Sequence, residues 1–382
     1  MARLLPYCPP LDGVRGVAFL VVMATHMHPW PSTVAGQVAM DVFFGLSGFL
    51  ITALLVGERA TRGAISLLHF YQRRALRLLP ALWLFLGVWL AVVVAFGSHG
   101  WTTTVPGRGH GTPEALSTAL QGVGAALGYV YNWFKAYHLF GGYVPLGHLW
   151  SLAVEEQFYL LWAPLLALLL ARRRAIALPA TLLLAAVSLL APLVLWHGGH
   201  GLGRIYFGTD TRAGALLLGA AAAQAWSRGW LDRPMRSRLG GPIVALAGVG
   251  LVLASFWMHD TGSVSRWIGG WVLASVAGPV VVVSLVERPR GITARVFASA
   301  VLRYVGRRSY ALYLWHYVWI TWLAGLGAAG LPLAVTASLA SAEISWLLVE
   351  RRALARKRRL AALPGALAQE PRAIHEQVAA AS

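Results

Sequence analysis

The sequence predicts an all-α integral membrane protein, a bundle of about ten transmembrane helices. Of its 382 residues, 58% are hydrophobic and only 12% are charged, and the mean hydropathy is +0.63. Soluble domains carry about 25% charged residues. Apolar segments recur along the chain, each long enough to cross the roughly 30 Å of a bilayer's hydrocarbon core. The basic residues lie between these segments, mostly at alternate loops.

Ten segments have the length and hydropathy of a membrane-spanning helix. They are residues 13–30, 37–57, 78–97, 148–171, 175–196, 212–227, 241–258, 266–286, 309–328 and 331–350. An eleventh segment, 116–134, is only moderately apolar, and Gln121 and several glycines interrupt it. We predict that this extra segment is a re-entrant or surface-lying helix in a long outer loop.

The distribution of arginine and lysine decides the predicted topology. If 116–134 does not cross the membrane, 27 of the 32 basic residues lie on one side, which the positive-inside rule identifies as cytoplasmic. If it crossed, the arginines at 172–174 and all later ones would change sides and the bias would disappear. The prediction is therefore a multi-pass chain with both termini in the cytoplasm.

The net charge of +18 would suggest nucleic acid in a soluble protein, but here the arginines lie in short loops beside apolar helices. Their predicted partner is the lipid bilayer, and no nucleic acid is expected. The single cysteine, Cys8, excludes a disulfide framework, and the histidines lack metal-ligand spacing, so no metal site is predicted.

Residues 1–355 form the predicted membrane domain. Residues 356–382 form a basic, then alanine-rich cytoplasmic tail that is predicted to be disordered.

The first two predicted helices carry ionisable side chains at membrane depth, where they are costly and indicate function. Arg15 and His26 are eleven residues apart, about three helical turns, so they share a face and lie roughly 16 Å apart. Asp41 reaches a depth similar to that of His26 on the next, antiparallel helix. We predict that Asp41 orients His26 as a general base. The alternative is a buried histidine satisfied by a neighbouring group. Asp12, at the inner end, is expected to position Arg15.

Asp41 is followed by a glycine-containing stretch, residues 43–49. Gly45 and Gly48 are small enough to allow close helix approach. Ser47 lies in mid-helix outside any G-x-S-x-G turn, so packing is favoured for it and substrate contact is the lesser alternative.

An arginine cluster, Arg73, Arg74 and Arg77, follows the second helix. Arg74 and Arg77 are three residues apart and are expected to project together at the cytoplasmic surface. Such a pair suits bidentate binding of phosphate. Anchoring of the helix end by positive charge explains the same cluster without a ligand.

Polar residues recur in three later helices. Glu155 and Glu156 lie about 10 Å below the predicted outer surface, by the rise per residue of a helix, and point about 100° apart. One of them is expected to face the cavity that holds His26 and the other to pair with an arginine. His316 ranks below His26 because no carboxylate is visibly opposed to it. Glu350 ends the last helix among arginines, where an ion pair explains it.

Together these motifs resemble the acyltransferase family 3 membrane proteins, which include bacterial O-antigen and peptidoglycan O-acetylases and macrolide acyltransferases. The matching pieces occur in the family's order over residues 10–350. They are LDGVRG (11–16) with His26 at the family's Arg-x10-His spacing, DVFFGLSGF (41–49), Arg74-x-x-Arg77, YNW (131–133), HLWSL (148–152), EEQFY (155–159), SY (309–310) and YLWH (313–316).

The resemblance implies an enzyme of the bacterial cell membrane, an O-acyltransferase. It would transfer an acyl group, usually acetyl, from cytoplasmic acyl-CoA to a hydroxyl. The acceptor would be a carbohydrate-type molecule: a surface glycan, a lipid-linked sugar or a macrolide-like metabolite. Acyl-CoA is a co-substrate in such an enzyme, and no bound cofactor is implied.

The family's essential Arg and His fall on Arg15 and His26, and its arginine pair falls on Arg74 and Arg77. Its late acid falls on Glu350, although Arg352 stands where the family often has proline. No fused hydrolase-like domain follows in this sequence, so a stand-alone transferase is expected.

Several alternatives stay open at this level. His26 either deprotonates the acceptor or carries the acyl group as an acyl-imidazole. A transporter or flippase would use the same buried ions as a relay, and an acyl-binding sensor would keep every motif but lack turnover. In the outer loop 98–147, aromatic residues are candidates for stacking on sugar rings or for anchoring at the interface. They are Trp101, Tyr131, Trp133 and Tyr143.

Overall fold

The structure, a computed structural model, describes residues 3–27, 33–96, 116–141, 144–259 and 263–355. The predicted tail at 356–382 lies outside these residues, as do Trp101 and Tyr143.

All regular elements in the described ranges are helices, as predicted. The fifteen α-helices are Pro9–His26 (α1), Thr33–Arg62 (α2), Leu67–Phe96 (α3), Leu116–Leu127 (α4), Tyr131–Ala136 (α5), Trp150–Arg172 (α6), Ala177–His197 (α7), Leu202–Phe207 (α8), Thr209–Ser227 (α9), Asp232–Arg236 (α10), Gly240–His259 (α11), Val264–Glu287 (α12), Ile292–Phe297 (α13), Ala300–Leu323 (α14) and Gly330–Ser345 (α15). Short 3-10 turns precede α6, α7 and α15, and a π-helical turn, Trp346–Glu350, follows α15.

Seven helical segments in the described part of the chain are long and apolar enough to cross a membrane. They coincide with seven of the ten predicted spans. The other three predictions, 13–30, 212–227 and 309–328, fall on α1, α9 and α14, which are 18, 19 and 24 residues long but carry more polar residues. These three helices bury much of their surface inside the bundle. A helix shielded from lipid by its neighbours does not need the uniform hydropathy of a lipid-facing one.

The extra segment 116–134 forms two short helices rather than a span. α4 has 12 residues, about 18 Å of helix, which is less than the hydrocarbon thickness. This length agrees with the prediction that 116–134 does not cross.

Close approach of glycines holds the centre of the bundle, where α2 packs along α9. A Cβ atom on Gly48 would lie 1.9 Å from the carbonyl oxygen of Leu216, and one on Gly219 would lie 2.0 Å from that of Gly45. No side chain fits at such distances, so backbone meets backbone. The helix approach expected from Gly45 and Gly48 is confirmed.

A hydrogen-bonded clasp ties the α4–α5 region to the core. The Gln157 side chain on α6 accepts from the Trp133 indole (3.1 Å) and the Thr209 hydroxyl (2.6 Å), and it donates to Asn132 (2.9 Å). Tyr131 is almost completely buried. Tyr131, one of the candidates for sugar stacking or interface anchoring, therefore has its ring in the core, which leaves no exposed face for a sugar. The indole N–H of Trp133 is bound within the clasp.

We predict that Gly48→Ala lowers the stability of the detergent-solubilised protein by about 1–3 kcal/mol, because α2 and α9 must move apart. Gly87→Ala is the matched control, since Gly87 lies on α3 with open space around its Cα. It should leave stability unchanged or raise it by up to about 1 kcal/mol. Thermal unfolding monitored by circular dichroism measures both, and equal midpoints for the two variants would contradict the packing described.

Candidate functional site

One face of α1 lines two adjoining cavities. Asp12, Arg15, Phe19 and Val22 border the first, and Val22 and His26 border the second. These positions are three, four or seven residues apart, so they form one stripe about 20 Å long. Val22, Met40 and Tyr313 line both cavities and form the boundary between them.

The first cavity, here called the arginine cavity, is lined by five arginines and three carboxylates. They are Arg15, Arg62, Arg73, Arg74, Arg77, Asp12, Glu58 and Glu155. Its volume is about 210 Å³. The excess of arginine makes this cavity suited to an anionic group.

Arg74 and Arg77 both line the arginine cavity, but Arg74 already has acidic partners. Its guanidinium forms a bidentate pair with Glu156 of α6, with N–O distances of 2.8 and 2.9 Å to Oε1, and lies 3.4 Å from the centre of the Tyr159 ring. Glu155 is 3.8 Å away and accepts from the Tyr159 hydroxyl. Arg74 thus ties α3 to α6, while it lines the arginine cavity together with Arg77.

Arg73 is also paired, with Glu58 of α2 at 3.2 Å. Consecutive helical residues point about 100° apart, so adjacent arginines meet different helices. Arg77 has no hydrogen bond or ion pair with any described residue. Arg15 has a single long contact of 3.5 Å with Asp12, whose other oxygen accepts from the Tyr7 hydroxyl. Arg15 and Arg77 are therefore the arginines of this cavity with the most capacity to bind an anion.

The two adjacent acids of α6 lie beside the arginine cavity. The loop before α6 carries His148 into the bundle interior, where it is 4% exposed. The helix consequently begins inside the protein, and Glu155 and Glu156, two turns later, reach Arg74. Glu156 provides the arginine pair that was expected for one of the two acids, but Glu155 faces the arginine cavity and not His26.

The second cavity, here called the histidine cavity, has a volume of about 290 Å³. That is close to the lower end of the range for small-molecule sites. Aromatic rings form much of its wall, together with Lys135, Gln37 and two histidines, His26 and His148. The aromatic residues are Trp150, Tyr206, Phe207, Tyr313 and Tyr317.

His26 and His316 form a hydrogen bond, with 3.0 Å between Nδ1 of His26 and Nε2 of His316. His316 Nδ1 lies 2.8 Å from the Tyr313 carbonyl and 3.2 Å from that of Leu312. Carbonyl oxygens only accept, so Nδ1 of His316 carries the proton and its Nε2, in the neutral ring, is an acceptor. His26 must then donate from Nδ1, which leaves the lone pair of the neutral ring on Nε2. The helix α14 backbone thus sets the tautomer of His26 through His316.

Asp41 does not orient His26, contrary to the prediction. Its Oδ1 accepts from Nη1 of Arg212 at 3.0 Å, and both side chains are completely buried. Gly36 is the α2 residue that lies beside Thr25, so Asp41 is more than one helical turn further along α2 than the level of His26. Its side chain also faces α9. Arg212, the first residue of the predicted span 212–227, lies inside the bundle.

The buried pair supports the wall of the histidine cavity. Arg212 Cζ lies 4.4 Å from the Tyr206 ring centre, 5.2 Å from that of Trp150 and 4.3 Å from that of Trp271. Tyr206 and Trp150 border the cavity on their other side. Asp41 therefore acts on the site through Arg212 and these rings.

The remaining predicted residues take simpler positions. Ser47 lines the arginine cavity, and Glu350 is buried, with the Ser345 hydroxyl as a hydrogen-bond donor at 3.2 Å. That hydroxyl, and not an arginine, is the polar contact of Glu350 among the described residues. Burial raises the pKa of the Cys8 thiol, which also lines the arginine cavity, to about 12, so it is protonated at neutral pH and a poor nucleophile.

Sequence reasoning missed Lys135, Arg212 and His148 as parts of the site and underrated His316. The signal for His148 was present in the motif HLWSL, but a histidine before a helix has no predictable partner. The described residues contain no group of three histidine, cysteine or acidic side chains placed to hold a metal ion.

An arginine-lined cavity and a histidine-lined cavity thus meet along α1. The sequence that forms them is similar to that of known proteins. The model of the family described as "Acyltransferase domain" matches residues 10–350. The chain belongs to the acyltransferase 3 family.

Two relatives show how this family member compares with named proteins. It is 32% identical over 364 residues to the peptidoglycan O-acetyltransferase OatA of Listeria monocytogenes, covering 90% of this chain and 55% of that protein. It is 33% identical over 322 residues to the O-acetyltransferase OatA of Staphylococcus aureus, covering 81% and 50%. The chain thus spans about half the length of these relatives. No solved structure matches it.

We predict that Asp41→Ala lowers stability by about 3–5 kcal/mol, because it leaves the Arg212 charge buried without a partner. The double variant Asp41→Leu with Arg212→Met should recover most of the thermal midpoint, since it removes both charges. The measurement is thermal unfolding in detergent. If the single variant kept the wild-type midpoint, the role of Asp41 would be at the chemistry and not in the wall.

Proposed function

We propose that this acyltransferase 3 family member is an O-acyltransferase of the bacterial plasma membrane. It moves an acyl group, most simply acetyl, from acyl-CoA to a hydroxyl of a glycan, with peptidoglycan as the acceptor class indicated by the relatives' names. The observation that supports this best is the stripe on α1. Along it, an arginine-lined cavity adjoins a cavity in which the lone pair of His26 Nε2 is set by His316.

The donor binds from the arginine cavity. Its phosphates contact Arg77 and Arg15, because the charges of Arg73 and Arg74 are already matched by Glu58 and Glu156. The pantetheine arm then follows the α1 stripe, along which Arg15 and His26 are roughly 16 Å apart. The thioester passes the boundary at Val22, Met40 and Tyr313 to reach His26. The cationic cavity faces the cytoplasm, in line with the positive-inside bias.

The acceptor enters the histidine cavity, where Trp150, Tyr206 and Tyr317 offer faces for a sugar ring. His26 Nε2 takes the proton of the acceptor hydroxyl, and the oxygen attacks the thioester carbon. The C–S bond breaks, and the proton held by His26 goes to the departing thiolate of CoA. The ester and free CoA are the products. The imidazolium formed on His26 during the reaction is stabilised by its hydrogen bond to neutral His316.

An acyl-imidazole on His26 is the second candidate chemistry, since the same Nε2 lone pair is a nucleophile. The presence or absence of acyl-His26 in protein quenched during turnover separates it from direct transfer. A flippase using the buried ions as a relay is disfavoured, because Asp41–Arg212 and Arg74–Glu156 are matched pairs within the bundle and not a chain of exchangeable sites.

We predict that His26→Ala lowers acyl transfer by roughly 10²–10⁴-fold, because the base is lost. The assay follows radiolabel from acetyl-CoA into solubilised peptidoglycan strands, with the purified full chain in detergent. Binding of CoA should stay close to wild type, since His26 lies beyond the boundary residues. Near-normal transfer by His26→Ala would refute the assignment, and no transfer or thioester cleavage by wild type would favour a transport function.

Arg77→Gln should weaken CoA binding by roughly 10–100-fold, since a charge-assisted contact to phosphate contributes about 1.5–3 kcal/mol. Arg73→Gln is the matched control on the same helix, and its effect should be less than about threefold because Glu58 already holds its charge. Calorimetric titration with CoA measures both. Equal losses in the two variants would show that the cluster acts only through its total charge.

A further inference from the structure

His148 is a buried histidine whose ring is unused by the fold. It is 4% exposed and lines the histidine cavity with His26, yet neither Nδ1 nor Nε2 has a hydrogen-bond partner among the described residues. The Leu314 backbone lies close enough to the ring to interact with it electrostatically, but the contact does not meet the distance and angle criteria of a hydrogen bond. A buried polar group left unsatisfied costs about 1–3 kcal/mol, so such a group requires an explanation.

The surroundings of His148 hold its ring in place without using its nitrogens. The ring centre lies 5.1 Å from that of Tyr313, 5.0 Å from that of Tyr317 and 6.0 Å from that of Phe85. The backbone is fixed separately, because the His148 carbonyl accepts from the hydroxyls of Ser151 and Tyr313. A phenylalanine would pack here equally well and at lower cost. The imidazole is therefore positioned for a ligand and not for stability.

The groups around His148 favour the neutral form of its imidazole. His148 lies in the 3-10 turn that leads into the 23-residue helix α6, two residues before its first residue, and that helix start has no side-chain cap. The partial positive charge of a helix start disfavours a cation beside it. The lining of the histidine cavity contains Lys135 and no carboxylate to balance an imidazolium. A neutral imidazole retains one N–H, which is a hydrogen-bond donor.

We propose that His148 is a second catalytic residue, whose ring N–H donates to the thioester carbonyl oxygen as that oxygen gains negative charge. The inference rests on the proposed acyl transfer. When the acceptor oxygen bonds to the carbonyl carbon, the C=O electron pair moves to its oxygen, and the His148 N–H stabilises that oxyanion. The pair returns as the C–S bond breaks, and the proton taken up by His26 goes to the thiolate. His26 and His148 thus divide the work between proton transfer and charge stabilisation.

The test compares His148→Phe, His148→Gln and the control His197→Phe, which changes an exposed histidine at the end of α7. Turnover with radiolabelled acetyl-CoA and solubilised peptidoglycan strands, CoA affinity and thermal midpoint are measured on the purified full chain. His148→Phe should lower kcat by roughly 10²–10³-fold, as for loss of one oxyanion donor, with CoA affinity unchanged and an equal or higher midpoint. His148→Gln, which keeps an N–H donor, should recover at least about tenfold over the phenylalanine variant.

Turnover of His148→Phe within about fivefold of wild type would overturn the inference while leaving the proposed function intact. A loss of turnover together with a lower thermal midpoint in both His148→Phe and His148→Gln would also overturn the inference, because it would show that His148 has a structural role. If only His148→Phe is unstable, His148→Gln tests the inference by itself. Loss of turnover in His148→Gln at the wild-type thermal midpoint would refute the role of His148 as a hydrogen-bond donor. Absence of transfer by wild type would remove the proposed function and this inference together.

Discussion

Asp41 and Arg212 lie opposite each other on α2 and α9 with no exposure to solvent. The rest of the structure depends on this kind of contact, because a charge removed from water must meet a partner or cost several kcal/mol. Glycines bring α2 and α9 close enough for the pair to form, and the aromatic rings around Arg212 become one wall of the histidine cavity. Arg74 and Glu156 tie α3 to α6 in the same way at the other cavity.

The side chains outside these matched ion pairs are the ones that can bind a ligand or take part in a reaction. Arg77 and Arg15 retain donors in the arginine cavity after Arg73 and Arg74 are matched. In the histidine cavity, His316 uses its own helix's carbonyls to fix one proton, and that proton determines where the lone pair of His26 lies. The tautomer of a candidate base is thus set by backbone geometry and not by a carboxylate. This arrangement avoids placing another negative charge in the apolar interior.

Much of the fold could be predicted from hydropathy and charge, because lipid imposes a length and a polarity on every helix that faces it. Seven spans follow directly from that rule. α1, α9 and α14 are less clear from composition because neighbouring helices surround them, and polar residues are tolerated there. The close approach at Gly48 was predictable from residue size. The length of α4 agrees with the charge bias, which predicted that 116–134 does not cross the membrane.

The sequence by itself determined the class of molecule, the family and the α1 stripe, since a spacing of eleven residues places Arg15 and His26 on one face of any α-helix. Only the tertiary structure decided which partner each charge meets. The level of Asp41 along α2 and the direction of its side chain depend on how α2 packs against the other helices, which spacing within one helix does not encode. For the same reason His148, a motif residue with no assigned role, became visible only when its ring was found in the cavity with both nitrogens unused.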